Sequence, residues 1–245
     1  MGPEAVKRPA YYAPVGSRAG DLVAVLHPPY TAWHLSHVAI GAALAPQIDW
    51  RVLAATLLAF FFGTGIAAHA LDERNGRPLH TTLGDGVLTL LALGGFVGSL
   101  AVAVIGAVEL SPWVLVWAGA GIVLAAGYAL ERPRALHTTL GFALAWGGFP
   151  VLVGYWAQAR TITVGAVAVA AAATLISMAQ RTLSTPARYL RRNTESAEMV
   201  LLREGSEERW SDARILATWE RPLRLLAWAM VTLAVGMLVA RALAP

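Results

Sequence analysis

The residues best suited to chemistry in this chain are its six histidines, all of which precede residue 138. His34 and His37 are three positions apart. His69 is followed three positions later by Asp72, and Glu73 comes next. Residues three or four positions apart share one face of a helix. Imidazole and carboxylate groups at this spacing can bind a metal ion or exchange a proton with a substrate.

A repeated motif supplies two further histidines, His80 and His137. The sequence Leu-His-Thr-Thr-Leu-Gly occupies positions 79–84 and recurs at 136–141, and an Arg-Pro pair precedes each copy. Two interpretations stay open: a duplicated helical hairpin that kept its helix caps, or two positively polarised helix N-termini that bind phosphate or diphosphate. The threonines predicted as caps are Thr81, Thr82, Thr138 and Thr139.

The elements that carry these residues are predicted to be membrane-spanning helices. Of the 245 residues, 57% are hydrophobic and 14% are charged, whereas soluble domains have about 25% charged residues. A helix needs about 20 apolar residues to cross a bilayer. The sequence therefore predicts an all-α polytopic membrane protein with about seven transmembrane helices. The predicted spans are 30–46, 52–71, 84–107, 112–130, 138–158, 162–180 and 223–243.

The composition also excludes several kinds of site. The chain has no cysteine, which excludes disulfides, thiolate metal sites and a cysteine nucleophile. Its formal net charge is only +4, which is too small to indicate a nucleic-acid partner. Membrane lipids are the partners that this composition predicts.

The distribution of positive charge predicts the orientation. With the N-terminus inside, sixteen of the 19 Lys and Arg residues fall in inner segments, and only Arg51, Arg160 and Arg241 fall in outer ones. Cytoplasmic loops carry such an excess. We therefore predict an N-in, C-out, multi-pass protein of the plasma (cytoplasmic) membrane of a prokaryote. All six histidines map to the inner half, where we expect the functional site.

Four regions are expected along the chain. Residues 1–21 are predicted to form a disordered cytoplasmic N-terminus, and residues 22–180 a six-helix transmembrane bundle. Residues 181–222 are predicted to form a basic amphipathic cytoplasmic segment of one or two helices. Residues 223–245 follow as a C-terminal transmembrane helix. Within the amphipathic segment, Glu204, Glu208 and Asp212 are spaced by four and are expected on one salt-bridged helical face.

Three stretches of the chain carry a family resemblance. Residues 27–31 read His-Pro-Pro-Tyr-Thr at the entry to the first helix. Residues 63–74 read Gly-Thr-Gly-Ile-Ala-Ala-His-Ala-Leu-Asp-Glu-Arg at the end of the second. Residues 128–132, Tyr-Ala-Leu-Glu-Arg, precede the stretch Gly-Phe-Ala-Leu-Ala-Trp-Gly-Gly-Phe-Pro at 141–150. Roughly over residues 26–180, the chain resembles the UbiA superfamily of intramembrane prenyltransferases.

The resemblance implies a UbiA-like helical bundle and the chemistry of that family. Asp-rich motifs of the family hold Mg²⁺ on an isoprenoid diphosphate, and the prenyl group passes to a lipid-soluble acceptor. It implies that His69, Asp72 and Glu73 lie at the diphosphate or the metal ion, and that His80 and His137 donate protons. The substrate-binding residues that follow from it are Arg74, Arg77, Tyr128, Arg132, Arg134, Trp146 and Tyr155.

The chain departs from the family pattern at the acidic motifs. Ala68, His69 and Gly76 stand where the first motif has Asn, Asp and Asp, whereas Asp72 is retained. Residues 177–192, where the second motif is expected, contain no acid. Two Mg²⁺ ions need several carboxylate ligands.

Three functions therefore stay open. The first is a divergent prenyltransferase at the cytoplasmic face, with Mg²⁺ as its cofactor. The second is a non-catalytic, UbiA-shaped lipid-binding or scaffold protein that kept the cavity. The third is a membrane protein that binds a metal ion or haem through His34, His37 and His69. Fold alone does not decide among them.

Overall fold

The computed structural model describes residues 8–13 and 17–244, and it is mostly helical, at 76%. The α-helices are α1 (Arg18–Val25), α2 (Pro28–Ala43), α3 (Trp50–Phe60), α4 (His69–Gly76), α5 (Asp85–Glu109), α6 (Trp113–Ala129), α7 (Thr139–Ala143), α8 (Phe149–Ala159), α9 (Val164–Arg192) and α10 (Asp212–Leu243). Two π-helical turns, Phe61–Ala68 and Leu144–Gly148, join α3 to α4 and α7 to α8. A 3₁₀ turn covers Arg134–His137, and a hairpin of β1 (Glu198–Arg203) and β2 (Ser206–Ser211) precedes α10.

Five helical stretches are long and apolar enough to cross a membrane. They are Trp50–Gly76, Asp85–Glu109, Thr139–Ala159, Val164–Arg192 and Asp212–Leu243. Helix α6 is apolar but shorter, with 17 residues, and α2 has 16 residues. On α5, Leu90 is 71% and Val108 82% exposed. A broad exposed apolar surface is unfavourable in water, so we treat this surface as facing lipid.

The long helices run in alternating directions, and this brings the histidines and the end of α9 to one end of the bundle. We call this the basic end: α2, α5 and α7 begin there, and α4, α6 and α9 end there. The Asn75 side chain joins α4 to α6 at this end by donating a hydrogen bond of 3.1 Å to the carbonyl oxygen of Ala129. At the opposite end, the Asp49 N–H donates to the Gln158 side chain at 2.8 Å.

Helices α2 and α8 pack backbone to backbone in the interior. A Cβ atom added at Gly41 would lie 2.1 Å from the carbonyl oxygen of Val151, and one added at Gly154 would lie 2.1 Å from that of Val38. Any larger residue at either position would clash with backbone. Small residues permit this close approach between membrane helices, and here they hold α2, with its histidines, in the interior.

The described part of the region 1–21 is packed, not disordered. Residues 1–7 and 14–16 lie outside the described residues. Ala10 is buried, and the Arg192 guanidinium donates a hydrogen bond of 3.2 Å to the carbonyl oxygen of Pro9. An arginine of α9 therefore fixes the N-terminal segment to the bundle.

The predicted boundaries at residues 180 and 222 fall inside helices, because α9 continues to Arg192 and α10 begins at Asp212. Pro186 lies within α9, although a proline removes one backbone hydrogen bond from a helix. The neighbouring Ser184 and Ala187 are buried, and their packing keeps this turn in place.

Between α9 and α10 the chain forms a β-hairpin where amphipathic helix is predicted. Its turn contains Gly205 at a φ of +75°, which glycine adopts without strain. The prediction that Glu204, Glu208 and Asp212 share a helical face is wrong: they lie in the turn, in β2 and at the first position of α10. The run of apolar residues in β1 pairs with β2 in antiparallel register.

Candidate functional site

Three histidines meet at the basic end. The ring centroids of His27 and His69 are 4.4 Å apart, and those of His34 and His69 are 6.5 Å apart. His34 also contacts Trp146, with a centroid distance of 5.1 Å, and its Nδ1 lies 3.2 Å from the Trp146 carbonyl oxygen. The start of α2, the start of α4 and the turn before α8 thus form one cluster.

Both π-helical turns lead into this cluster. His69 directly follows the first, Phe61–Ala68, and Trp146 lies within the second, Leu144–Gly148. A π-turn adds a residue to the helical repeat and rotates the side chains that follow, and such turns are frequent at functional sites. Here they place an imidazole and an indole beside the same face of α2.

Helix α9 contributes a row of arginines. Arg181, Arg188 and Arg192 are spaced by seven and four residues and therefore share one helical face. Arg181 is buried, and its guanidinium donates to the Tyr128 hydroxyl at 2.5 Å and to the His137 carbonyl oxygen at 2.9 Å. We call these three residues the arginine face.

The arginine face interacts electrostatically with the rest of the cluster. The charges of Arg192 and Arg188 act on Asp72, on Tyr12 and on His27. None of the three arginines forms an ion pair closer than 4.0 Å with a carboxylate of the described chain. Asp72 is the one half-buried acid near them, and it does not reach that distance.

Tyr12 orients His27. Its hydroxyl lies 2.5 Å from His27 Nδ1. Burial, and then the nearby Tyr30, raise the pKa of the Tyr12 phenol well above its ordinary value, although Arg192 and Arg188 act to lower it. The phenol therefore keeps its proton, and its hydroxyl shares one hydrogen bond with Nδ1 of His27. His27 is buried, and Nε2 has no hydrogen-bond partner among the described residues.

Five of the residues predicted from the sequence lie in or beside this cluster. His69, Asp72 and Trp146 belong to it directly. Tyr128 joins it through Arg181, and His137 stacks on Tyr128 at a centroid distance of 4.9 Å. His137 lies at the edge, where its Nε2 is 3.6 Å from Glu131.

Glu73 is also near the cluster in sequence, but its carboxylate is used by the chain. The side chain is fully buried. It accepts hydrogen bonds from the Leu79 N–H at 2.8 Å, from the Thr81 N–H at 2.9 Å and from the Thr81 hydroxyl at 2.8 Å. Glu73 holds the loop before α5, and its oxygens are not available to a ligand.

The remaining predicted residues are not brought together. Arg77 caps the end of α4 and pairs with Asp85. His80 is exposed, and Tyr155 is buried near the opposite end against Ala45 and Ala166. The other three predicted phosphate ligands are exposed at the basic end; they are Arg74, Arg132 and Arg134.

The residues present do not fit the Mg²⁺ ions that the family resemblance implies. Asp72 is the one carboxylate of the cluster with free oxygens, since those of Glu73 are saturated. Over residues 8–13 and 17–244, no group of three or more His, Cys, Asp or Glu side chains could hold a metal ion. This covers His34, His37 and His69 as well: the Nδ1 atom of His37 is 3.0 Å from the Trp33 carbonyl oxygen.

The repeated motif forms two different structures. In the second copy, the Thr138 hydroxyl accepts a hydrogen bond from the Gly141 N–H at 3.0 Å and caps α7, as predicted. In the first copy, Thr81 binds Glu73, and Thr82 donates through its N–H and its hydroxyl to Asp21. At the first copy the donors of Thr81 and Thr82 are therefore taken by carboxylates of the chain and are not available to an anion.

An apolar cavity of about 110 Å³ lies beside the cluster, among α3, α5, α6 and α8. Its aromatic lining consists of Phe60, Trp117, Trp146, Phe149 and Trp156. Trp146 belongs to both regions, because it lines the cavity and contacts His34. The exposed Ala55 also lines the cavity, so the cavity opens to the side of the bundle.

The sequence analysis missed the arginine face and Tyr12. The signal for the arginines was present, because spacings of seven and four residues indicate one side of a helix. It was overlooked because a helix end was placed at residue 180. No comparable signal marks Tyr12, which reaches His27 only through the folded N-terminal segment.

Comparison of the chain with models of known protein families, with curated proteins and with solved structures finds no match.

Proposed function

We propose that this chain is a UbiA-like integral membrane protein that binds an isoprenoid-type lipid without catalysing prenyl transfer. The apolar chain of the lipid lies in the aromatic-lined cavity, and its polar head lies at the histidine and arginine cluster. The protein has about seven spans, including α2 and α6, with its basic end in the cytoplasm of a prokaryotic plasma membrane. The excess of Lys and Arg at that end supports this orientation.

The observation that carries the proposal is the position of Trp146. This residue contacts His34 on one side and lines the apolar cavity on the other. An amphiphile with one polar end and one apolar end matches two adjoining regions of this kind. Because the cavity opens to the side of the bundle, a long chain can extend from it into the surrounding lipid.

Binding without transfer is favoured because the donor set is poor in carboxylates. Ionisation of a diphosphate on Mg²⁺ needs several oxygen ligands, and among the described residues of the cluster only Asp72 has carboxylate oxygens free to contribute. A direct assay separates the two functions. The proposal predicts no Mg²⁺-dependent consumption of isoprenyl diphosphates by the purified protein, with or without aromatic acceptors, and measured turnover would overturn it.

Binding itself is tested by filling the cavity. Ala118 lines the cavity, whereas Ala120 lies on the same helix and is exposed. We expect Ala118→Phe to weaken binding of farnesol or geranylgeraniol on the order of tenfold, because the new ring occupies the space of the chain. The Ala120→Phe control should bind as the unmodified protein does.

Quenching of tryptophan fluorescence measures this binding, since Trp117, Trp146 and Trp156 all line the cavity. Equal affinity in the two variants would contradict the assignment of the cavity. No binding of either alcohol to the unmodified protein in lipid nanodiscs would overturn the proposed function.

A further inference from the structure

The arginine face carries positive charge that no carboxylate of the described residues neutralises within ion-pair distance. Arg181 is buried, and Arg188 and Arg192 are half-buried. Their polar contacts are with neutral groups, such as the Tyr128 hydroxyl and the Pro9 carbonyl oxygen. Unpaired charges removed from water are costly. Two acids lie near this face: Asp72, which forms no ion pair in the described chain, and buried Glu220, which pairs with Arg191 and Arg224. The charges of Arg188 and Arg192 therefore stay unpaired among the described residues, and the face favours an anion.

The hydrogen-bond donors near the arginine face also favour an anion. Tyr12, whose hydroxyl lies 2.5 Å from His27 Nδ1, connects the arginine face to the histidines. A cleft of about 20 Å³ lies among Tyr12, Tyr30, Ser184, Arg188 and Arg192, and the ion pair of Arg191 with Glu220 also lines it. Guanidinium N–H groups on one face of a helix suit the tetrahedral oxygens of phosphate.

We infer that the arginine face binds the phosphate group of a lipid directly, without a divalent cation. The inference rests on the proposed function for the apolar chain and adds the chemistry of the head. The guanidinium groups supply the neutralising charge that carboxylate-bound metal ions would otherwise supply. The shared chemistry is a phosphate oxyanion, whether it is carried by a lipid or free in solution.

The experiment compares three probes on the full chain in nanodiscs that contain only zwitterionic lipid. The probes are farnesyl phosphate, farnesol and inorganic phosphate, each titrated with EDTA present and again with Mg²⁺. We expect farnesyl phosphate to bind about tenfold to a hundredfold more tightly than farnesol, since charge-assisted hydrogen bonds contribute this much. The affinity should be the same with EDTA and with Mg²⁺.

Two matched variants locate the site. Arg188→Gln combined with Arg192→Gln should reduce the affinity for farnesyl phosphate to about that for farnesol. Arg74→Gln combined with Arg132→Gln removes the same charge from exposed positions at the same end and should change the affinity less than about threefold. Unchanged binding of farnesol by the first variant shows that it is folded.

Each result separates the inference from the proposed function. If farnesol binds and the phosphate adds no affinity, the inference is overturned and the proposed function stands. Binding of farnesyl phosphate that EDTA abolishes, or that only the Arg74 and Arg132 variant loses, also overturns it. If inorganic phosphate binds as tightly as farnesyl phosphate, the site takes free phosphate and the claim of a lipid head is overturned. Failure of both farnesyl compounds to bind contradicts the proposed function itself.

Discussion

Two regions at the basic end differ in whether their buried or half-buried charged groups have partners in the chain. Around the loop before α5, Glu73 and Asp21 are buried, and both carboxylates accept hydrogen bonds from the chain. On α9, Arg188 and Arg192 are half-buried, and neither has a carboxylate partner within ion-pair distance among the described residues. The carboxylates of the loop before α5 thus have hydrogen-bond partners in the chain, whereas these two arginines of α9 have no ionic partner among the described residues.

The difference separates structural polar groups from those available to a ligand. Glu73 accepts three hydrogen bonds, which offset the cost of burying its charge. Saturation of this kind stabilises a loop and leaves nothing for a substrate. The arginine face keeps unused donors, and an isolated anion can bind there with less competition from the chain. Substitutions in the two regions should therefore affect different measurements.

The largest effect on stability is expected from Glu73→Gln. The amide keeps one acceptor, but its NH₂ group faces a backbone N–H of the loop, so a buried donor loses its partner. We expect the free energy of unfolding to fall by about 3 kcal/mol. Titration with SDS in mixed micelles measures this quantity, and exposed Glu109→Gln serves as the control. A loss below that of the control would show that Glu73 is not structural.

A smaller loss is expected from Asp21→Ala. Oδ2 of Asp21 accepts from the Thr82 N–H at 2.8 Å and from the Thr82 hydroxyl at 2.6 Å. Removal of both hydrogen bonds should lower the free energy of unfolding by about 1–2 kcal/mol. Because the two residues interact, Asp21→Ala and Thr82→Val together should cost less than the sum of the single variants. Strict additivity would contradict this pairing.

The sequence predicts the helical membrane bundle well, because an apolar run of about 20 residues satisfies all its backbone hydrogen bonds in lipid by forming a helix. It also singles out His69 and Trp146, which the structure brings to one cluster through His34; their role in binding stays a prediction. It fails for Glu73, since the spacing that puts a carboxylate beside Asp72 cannot show that three donors of a later loop will saturate it. It fails for the hairpin as well, because the short apolar run of β1 is consistent with both helix and strand.

Contacts between segments that are distant in the sequence are the part of the site that the sequence predicts least well. His27 Nδ1 is held by the hydroxyl of Tyr12, which belongs to the N-terminal segment and is 15 residues away in the sequence. The repeated motif shows the same limit. Two identical hexapeptides form a helix cap in one place and a carboxylate-bound loop in the other. Beside the second copy, Glu131 lies near the His137 ring, and no hydrogen bond in the described chain joins it to Thr138.

The smallest effect on stability, and the most informative effect on binding, is expected from Asp72→Asn. Asp72 lies near the arginine face without forming an ion pair in the described chain, so the change in the free energy of unfolding should stay within about 0.5 kcal/mol. A negative charge beside an anion site opposes the anion. Its removal should therefore strengthen the binding of farnesyl phosphate, by about threefold to tenfold at the dielectric constants of partly buried sites.

The direction of this change distinguishes the two ways of holding a phosphate. If Asp72 were a ligand of Mg²⁺, its neutralisation would weaken binding, and the loss would appear only when Mg²⁺ is present. If the arginine face holds the phosphate directly, the affinity rises equally with Mg²⁺ and with EDTA. Glu207→Gln, exposed on the hairpin, changes the net charge by the same amount and should leave the affinity unaltered. Whether Asp72→Asn raises or lowers the affinity for farnesyl phosphate therefore decides whether the arginine face is an anion site or Asp72 belongs to a metal site.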